Sequence, residues 1–313
     1  ANGDWSSDVC SSDLMVCSSI HLKSNERKTD MNTTTPGTLY LCATPIGNLE
    51  DITFRVLKTL KKVDLIAAED TRNTIKLLNH FEIKTPMTSY HEYNKIEKAK
   101  YLVEKITNGT DIALVTDAGT PGISDPGEEL VKQAYEAGLT VTSLPGACAC
   151  VTALTLSGLS TRRFCFEAFL PVDKKERRAI LDSLKKETRT IIIYEAPHHL
   201  KATLSELYSY LGDRKITFCK ELTKLHETVQ QMTLSQAIEY YGQTPPKGEY
   251  VMVIEGISHK ELEKQSIQEW EKITIQEHMD IYLSQGMDKK SSMKQVALDR
   301  GIPKREVYNT LLK

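Results

Sequence analysis

The sequence predicts an α/β protein: an open parallel sheet first, a second α/β region after it, and a small all-helical appendage at the end. Three observations carry this expectation. Short apolar runs alternate with amphipathic segments about five times between residues 38 and 158, which is the pattern of a parallel sheet covered by helices on both faces. Polar, glycine-rich loops follow four of those runs, at the strand ends where an open α/β sheet binds its ligands. The pattern then changes at LSTRR, 159–163, and again near Ile273.

The elements follow in order. LYLCATPI (39–46) reads as a strand ending in Thr44 and Pro45, and 52–60 as a helix with Val56, Leu57 and Leu60 at three- and four-residue spacing. VDLIAAED (63–70) is a strand that stops at two carboxylates, 71–80 a helix, MTSYH (87–91) a short strand and 95–107 an amphipathic helix. DIALVT (111–116), a helix over 128–137 and LTVTSLP (139–145) continue the alternation. Residues 147–157 are small and apolar, suited to a helix packed closely on a sheet. Beyond the break, RFCFEAFLP, RTIIIYEAP (189–197), KITFCKEL (215–222), HETVQQM (226–232) and GEYVMVIEG (248–256) read as strands. Helices are expected over 174–185, 198–210 and near 234–241. The expected division is a cofactor-binding domain over 38–158, a second α/β domain over 162–257, a polar linker over 258–272 and a helical domain over 273–313.

The tail contains IQEHMDIYLSQG, SSMKQVALDRG and PKREVYNTLL, three short helices punctuated by Gly286, Gly301 and Pro303 in a helix-turn-helix-like unit. Ser291 is a candidate cap for the second, and Pro303 a candidate first residue of the third. Lys289, Lys290, Lys294, Arg300, Lys304, Arg305 and Lys313 outnumber Asp288, Asp299 and Glu306 there. Two readings stay open, a solvated helical end packed on the body and a surface for RNA. The other terminus is unlike the rest. ANGDWSSDVCSSDLMVCSSI is serine-rich and aperiodic, without the basic start of a signal peptide, and its repeat SSDVCSSDL resembles a translated adapter sequence. Residues 1–30 are expected to be a non-native, disordered leader, with Met31 the true start.

A net charge of -2 in 313 residues gives no bulk attraction to nucleic acid, although 40 Lys+Arg leave room for a local basic surface. Seven cysteines form no CxxC; Cys148 and Cys150, one residue apart, fit neither a zinc spacing nor a disulfide framework. Free thiols in a reducing cytoplasm are expected. No apolar run approaches the roughly 20 residues of a membrane span.

The chemistry lies in the loops. Neither GxGxxG nor GxxxxGK[ST] occurs, which argues against ordinary dinucleotide and P-loop sites. TDAGTPGISDPG (116–127) carries Asp117 and Asp125, which repel phosphate and suit a ligand with hydroxyls and a cationic centre. Gly119, Gly122 and Gly127 allow close backbone approach or positive φ. S-adenosylmethionine, adenosine or a sugar would each satisfy it. AEDTR places Glu69, Asp70 and Arg72 together, either as acids favouring a helix N-terminus or as a base with its orienting cation. In YEAPHH, the adjacent His198 and His199 cannot together chelate a metal, so no catalytic metal is expected, and Glu195 is the stronger cleft residue. Glu221, Lys224, His226 and Glu227 of ELTKLHE suit a salt-bridged surface loop and a network joining two domains equally well; Lys247 and Glu249 are weaker candidates.

LYLCATPIGNLEDIT, AEDTR, TDAGTPGISDPG, LPGACA, YEAPH, ELTKLHE and GEYVMVIEG, in that order, resemble the bacterial ribosomal RNA small subunit methyltransferase I family, within the tetrapyrrole-methylase-like superfamily. The resemblance covers about residues 38–256, and the basic tail is similar to that family's appendage. It implies a two-domain class III methyltransferase fold and a homodimer. It also implies transfer of a methyl group from S-adenosylmethionine to the ribose 2′-oxygen of a cytidine in the decoding region of 16S rRNA. Carried over by position, Pro45, Gly47, Asn48, Asp117, Gly119, Thr120, Ile123, Ser124, Asp125, Pro145, Gly146 and Ala147 would line the cofactor cleft. Glu195 would approach from the second domain, while Glu69, Asp70 and Arg72 would face the nucleotide. Lys289, Lys290, Lys294, Arg300, Lys304 and Arg305 would serve RNA contact. One departure concerns the expected YESPHR, where this chain has Ala196 for Ser and His199 for Arg; the second replaces a permanent charge with one that depends on pH. A porphyrin or corrin precursor methyltransferase, a diphthamide-pathway methyltransferase and a non-catalytic ribosome-binding protein are the rival readings.

Overall fold

Thr38–Cys42 (β1) opens the first sheet and leads through a 3-10 turn, Leu49–Asp51, to Phe54–Lys62 (α1). The helix starts there because Thr53 accepts a hydrogen bond from the Val56 N–H, satisfying one of the donors that a helix start leaves free. Leu65–Ala68 (β2), Thr71–His80 (α2), Met87–Ser89 (β3), Lys95–Thr107 (α3), Ile112–Val115 (β4), Gly127–Glu136 (α4) and Thr140–Leu144 (β5) complete the alternation. The structure, a computed structural model, describes residues 35–312. Residues 1–34, on which the expectation of a non-native leader falls and which include Cys10, Cys17 and Met31, and Lys313 at the other end lie outside the described residues.

The first sheet is parallel throughout, in the order β3-β2-β4-β1-β5. Every residue of β4, the central strand, is buried, which is why IALV reads as an unbroken apolar run instead of an alternating one. Val56, Leu60 and Leu78 of α1 and α2 cover one face. Leu102, Ile106, Leu130 and Ala134 of α3 and α4 cover the other. β1 and β4 are neighbours whose following helices leave to opposite faces. Their carboxyl ends mark the switch point of the sheet, beyond which folds of this kind bind ligands.

Ala149–Leu156 (α5) leaves the first sheet and packs on the second. Cys150, Ala153 and Leu154 sit against Ile192, Cys219, Val251 and Val253. The second sheet is built from Phe164–Phe169 (β6), Thr190–Glu195 (β7), Lys215–Lys220 (β8), Thr228–Thr233 (β9) and Tyr250–Ile254 (β10), in the order β6-β7-β10-β8-β9. β6 and β7 are parallel and the other pairs antiparallel. Lys174–Leu184 (α6), Pro197–Leu211 (α7) and Leu234–Gln243 (α8) cover the face away from α5. On α7, Leu200, Leu204, Leu207 and Leu211 fall on one stripe and are all buried, each worth about 1.5–3 kcal/mol of transfer from water.

The stretch read as a linker, 258–272, is instead a helix, His259–Glu271 (α9). Ser258 accepts from the Glu261 N–H and caps it. No residue of α9 is buried, so it lacks the apolar stripe that announces a packed helix, and only its cap betrays it. Ile275–Ser284 (α10), Lys289–Asp299 (α11) and Lys304–Leu311 (α12) form the expected three tail helices around Met279, Val296, Ala297 and Val307. Asp288, not Ser291, caps α11, accepting from the Lys290 and Ser291 N–H groups. Pro303 sits one position before α12 as its cap residue. Trp270 of α9 stacks on the fully buried His278 of α10 at 3.7 Å between ring centres.

Candidate active site

The loops leaving the carboxyl ends of β1, β2, β4 and β5 are tied to one another. Thr44 and Gly119 exchange backbone hydrogen bonds at 2.9 and 3.0 Å, joining the loop after β1 to the loop after β4. The Thr44 hydroxyl adds a bond to the Thr116 carbonyl. Gly119 (φ +87°) and Gly122 (φ +84°) hold conformations that L side chains rarely adopt. Asp125 organises the turn from Gly122 to Gly127. Its carboxylate accepts from the N–H groups of Gly122, Ile123 and Gly127 at 2.8–3.0 Å, so its charge is spent on the loop's own backbone.

Opposite this edge stands the edge of the second sheet, and a cavity of about 460 Å³ lies between them. Glu69, Asp117, Gly119, Thr120, Ile123, Ser124 and Asp125 line it from the first side, and Glu195 from the second. Glu195 is nearly buried and turned inward, accepting from Thr203 Oγ1 at 2.5 Å and from the Ala196 N–H. Glu69 accepts from the Thr116 hydroxyl at 2.6 Å and from the Asp117 N–H. Asp117 is held by the Asn73 amide at 3.1 Å. Desolvation and the neighbouring charges of Glu69 and Asp70 push its carboxyl above the ordinary carboxylate range.

Other expected residues lie beside this cavity instead of on its lining. Pro45 and Gly47 line a second cavity of about 340 Å³ with Asn73, Lys76 and His80; it shares Thr116 and Asp117 with the first. Asn48 caps the 3-10 turn by accepting from the Glu50 N–H. Asp70 caps α2 and pairs with its own Arg72 at 2.6 Å, which holds its carboxyl near 2. Arg72 itself is largely exposed. Gly146 lies against Ala43, where a Cβ would stand 2.6 Å from the alanine Cβ. The Ala147 carbonyl accepts from the Thr120 hydroxyl; Pro145 is exposed.

Several lining residues had no sequence signal as strong as the glycine loop. Phe169, Tyr194, Leu222 and Val251 supply an apolar wall. Lys224 pairs with Glu221 at 3.2 Å and with Glu249 at 3.0 Å. Burial opposes the Lys224 charge, but the two carboxylates outweigh it and raise the ammonium pKa. Lys224 also closes on the first half of the molecule: a Cβ on Gly47 would lie 2.5 Å from its Cγ and 2.9 Å from the Leu222 carbonyl. The ion pairs and hydrogen bonds of ELTKLHE stay within the second half, as in a salt-bridged loop, and the segment meets the first half by packing on Gly47. β10 runs antiparallel to β7 and β8, so its beginning, not its end, reaches the cleft. Residues at a strand's carboxyl end are the ones a parallel-sheet rule finds, and Glu249 and Tyr250 escape it.

Backbone strain gathers around the same cavity. Four of the five described non-glycine residues with positive φ flank it: Ser124 (φ 63°), Ala168 (φ 53°), Glu221 (φ 52°) and Thr223 (φ 65°). Conformations of this kind cost about 1–3 kcal/mol each and persist where the surroundings over-determine them. Six carboxylates, Glu69, Asp117, Asp125, Glu195, Glu221 and Glu249, line the cavity against the single ammonium of Lys224. With its apolar wall, the cavity fits a partly apolar ligand carrying positive charge. Among the described residues no cluster of three His, Cys, Asp or Glu could hold a metal ion, and no helix is long and apolar enough to cross a membrane.

In the tail, Lys289, Lys290, Lys294, Lys304 and Arg305 are exposed. Arg300 is not free in the same way: its guanidinium donates to His278 Nδ1 and to the Ile273 and Thr274 carbonyls, locking α11 to α10. His199 is exposed and makes no ion pair among the described residues.

Residues 38–238 match the family model for tetrapyrrole (corrin/porphyrin) methylases. The fold is similar to that of uroporphyrin-III-C-methyltransferase from Thermus thermophilus, with a TM-score of 0.51 and 17% identity over 70% of this chain and 94% of that one. It is also similar to a diphthine synthase, with a TM-score of 0.55 and 15% identity over 70% of this chain and 90% of that one. The fold and the cavity together define the class, a tetrapyrrole-methylase-like methyltransferase dependent on S-adenosylmethionine. Within that class the sequence relatives are much nearer. The chain is 50% identical over 273 residues to the ribosomal RNA small subunit methyltransferase I of Halalkalibacterium halodurans, covering 87% of this chain and 94% of that protein. It is 48% identical to the Bacillus subtilis protein of the same name, over 87% and 93%, and 47% identical to that of Synechocystis, over 88% and 98%. The chain belongs to the ribosomal RNA small subunit methyltransferase I family.

Proposed function

We propose that the protein methylates the ribose 2′-oxygen of a cytidine in the decoding region of 16S rRNA, using S-adenosylmethionine. The observation that carries this reading is the placing of Asp117 where two cavities meet. The larger, acidic cavity suits the cofactor, whose sulfonium and ammonium match its excess of carboxylates. Gly119, Thr120 and the 123–125 turn would hold the cofactor from one side, and Tyr194, Leu222 and Val251 from the other. Bound there, it supplies an electrophilic methyl group. The smaller cavity, beside Pro45, Gly47 and Lys76, would take the acceptor nucleotide.

Asp117 then has a specific task. Its carboxylate, aimed by Asn73, stands where a hydroxyl from the second cavity would approach the first, and a carboxylate with an elevated pKa is a better base for that proton. Glu69 fixes the Thr116–Asp117 backbone from behind. Asp70 and Arg72, paired with each other, are placed to position RNA instead of taking a proton. Alignment of the hydroxyl with the methyl group would supply most of the acceleration. The exposed cations of α11 and α12 would bind phosphates, with shape deciding the site. A homodimer acting in the cytoplasm fits this reading; Phe54, Tyr93, Val172 and Leu225, each more than nine-tenths exposed, are apolar groups that an interface would cover.

The test is methyl transfer from labelled cofactor to small ribosomal subunits, to naked 16S rRNA and to a tetrapyrrole precursor, followed by nuclease mapping. Label at one cytidine 2′-oxygen is expected. Label on a base, or on the tetrapyrrole alone, would overturn the proposal.

A further inference from the structure

Two thiols in the wall of the large cavity have no part in the scheme above. Cys148 lines the cavity, and Cys150 lies just behind it, 5% exposed. Their sulfurs are 3.4 Å apart. The sequence alone offered no use for this CxC pair, since it fits neither zinc nor a disulfide framework. The fold brings the sulfurs together because Cys148 is extended (φ −148°, ψ 111°) as the residue before α5, while Cys150 is already helical. Both side chains therefore point to the same side of the turn.

We propose that Cys148 and Cys150 are an oxidisable dithiol that peroxide converts to an intramolecular disulfide, and that the closed pair impairs cofactor binding. The second half of this statement rests on the cavity being the S-adenosylmethionine site. The two sulfurs are not equivalent. The hydrogen bond from Cys150, assisted by the Val151 and Cys150 N–H groups and opposed by burial, holds the Cys148 thiol below its ordinary range. The same bond, together with burial, pushes Cys150 up. One sulfur is thus the accessible thiolate and the other a protonated resolving thiol, the arrangement that oxidation-sensitive pairs share. The remaining described cysteines are poorer targets. Burial pushes Cys165 and Cys219 to about 11 and Cys42 to about 12.

The chemistry balances. The Cys148 thiolate attacks one peroxide oxygen, the O–O bond breaks, and the departing hydroxide takes a proton to become water, leaving a sulfenic acid on Cys148. Cys150 sulfur then attacks Cys148 sulfur; the S–O bond breaks and the hydroxide leaves as water with the Cys150 proton. Two thiols are oxidised by two electrons and one peroxide is reduced to two waters. Closing the pair from 3.4 Å to a bond of about 2 Å pulls the Cys148 side chain back from the cavity and strains residues 147–149. Those residues carry the carbonyl that holds Thr120.

The experiment uses the full chain, reduced and then treated with hydrogen peroxide. Tryptic peptide 133–162 contains Cys148 and Cys150 and no other cysteine. Both thiols should alkylate before treatment and neither after, with loss of two hydrogens that dithiothreitol restores. Saturating S-adenosylhomocysteine should slow the reaction. Cys150→Ser should stop at a sulfenic acid trapped by dimedone. Cofactor affinity, by calorimetry, should fall by about tenfold or more on oxidation and recover on reduction. Thiols of peptide 133–162 that still alkylate after peroxide, or that oxidise no faster than Cys165 and Cys219, would overturn the dithiol. A disulfide that forms without changing cofactor affinity would overturn its effect on binding. Failure of the reduced protein to bind S-adenosylmethionine would sink the functional reading instead, and the peptide chemistry would still stand on its own.

Discussion

Asp125→Ala removes the acceptor around which the 116–127 loop is folded. In the parent protein three backbone N–H groups converge on that carboxylate, and each loses its partner in the variant. Their surroundings differ, which sets the magnitude. Gly127 is buried at the start of α4, where the cap residue Pro126 offers no side-chain bond in place of Asp125; an orphaned buried donor costs about 1–3 kcal/mol. Gly122 is half-buried and loses somewhat less. The Ile123 N–H is exposed and water replaces its partner at little cost. The sum is about 2–4 kcal/mol, or a fall in melting temperature of roughly 3–6 °C for a chain of this size. Asp125→Asn keeps one of the two oxygens and should lose about half as much. Urea unfolding measures the stability, and calorimetry with S-adenosylhomocysteine measures the site, where affinity should fall at least about tenfold. A variant within about 0.5 kcal/mol of the parent, with unchanged affinity, would refute the view that Asp125 builds the loop. It would return the carboxylate to the role of a direct ligand contact only if affinity alone collapsed.

Four further outcomes are expected. Asp117 is the proposed base and its pKa is raised, so the rate should climb with pH through a point above the ordinary carboxylate range and then level off. Asp117→Asn should abolish that limb and cost about 10²–10⁴ in kcat; a preserved limb would exclude Asp117. Gly47→Ala sets a Cβ against the Leu222 carbonyl and Lys224 and should cost about 1–3 kcal/mol of stability while weakening cofactor binding. An unperturbed melt would show that the halves do not meet as described. Ala196 stands as the cap of α7 with no side-chain bond, so Ala196→Ser should add about 1 kcal/mol, read as a raised melting temperature; a lowered one would contradict the cap geometry. Replacing Lys289, Lys290, Lys294, Lys304 and Arg305 by glutamine should flatten the salt dependence of rRNA binding by about 0.7–0.9 in log–log slope for each phosphate the tail no longer neutralises. An unchanged slope would leave the tail as packing alone.

The parallel half of the fold was legible because its elements obey local rules. α2 and α3 have the ranges that 71–80 and 95–107 predicted, since each is amphipathic and β2 and α2 are separated by the capping Asp70. The second half was less so. Its strands were visible as apolar runs, but nothing local in GEYVMVIEG says that β10 is inserted antiparallel between β7 and β8. That pairing is a long-range choice, and it decides that Glu249 and Tyr250 belong to the cleft. α9 shows the opposite failure. Its cap was written in Ser258 and Glu261, but a helix with no buried residue leaves no periodicity to read, and the polar composition alone resembles a linker.

The loop acids make the same point at the level of chemistry. Sequence pattern placed Glu69, Asp70, Asp117 and Asp125 at one sheet edge, with Glu195 approaching from the second domain, but could not assign them tasks, because a carboxylate's task depends on how many donors it already serves. Asp125 serves three N–H groups, Asp70 a helix start and an arginine, Glu69 a hydroxyl and an N–H, and Glu195 a threonine and its neighbour's N–H. Asp117 accepts from the Asn73 amide, with a weaker pull from the Asp70 N–H, and stands where both cavities open. Every acid but Asp117 is occupied in building the site. The carboxylate with spare acceptor capacity and an elevated pKa is the one free to meet a substrate hydroxyl, and it is on that residue that the catalytic proposal stands or falls.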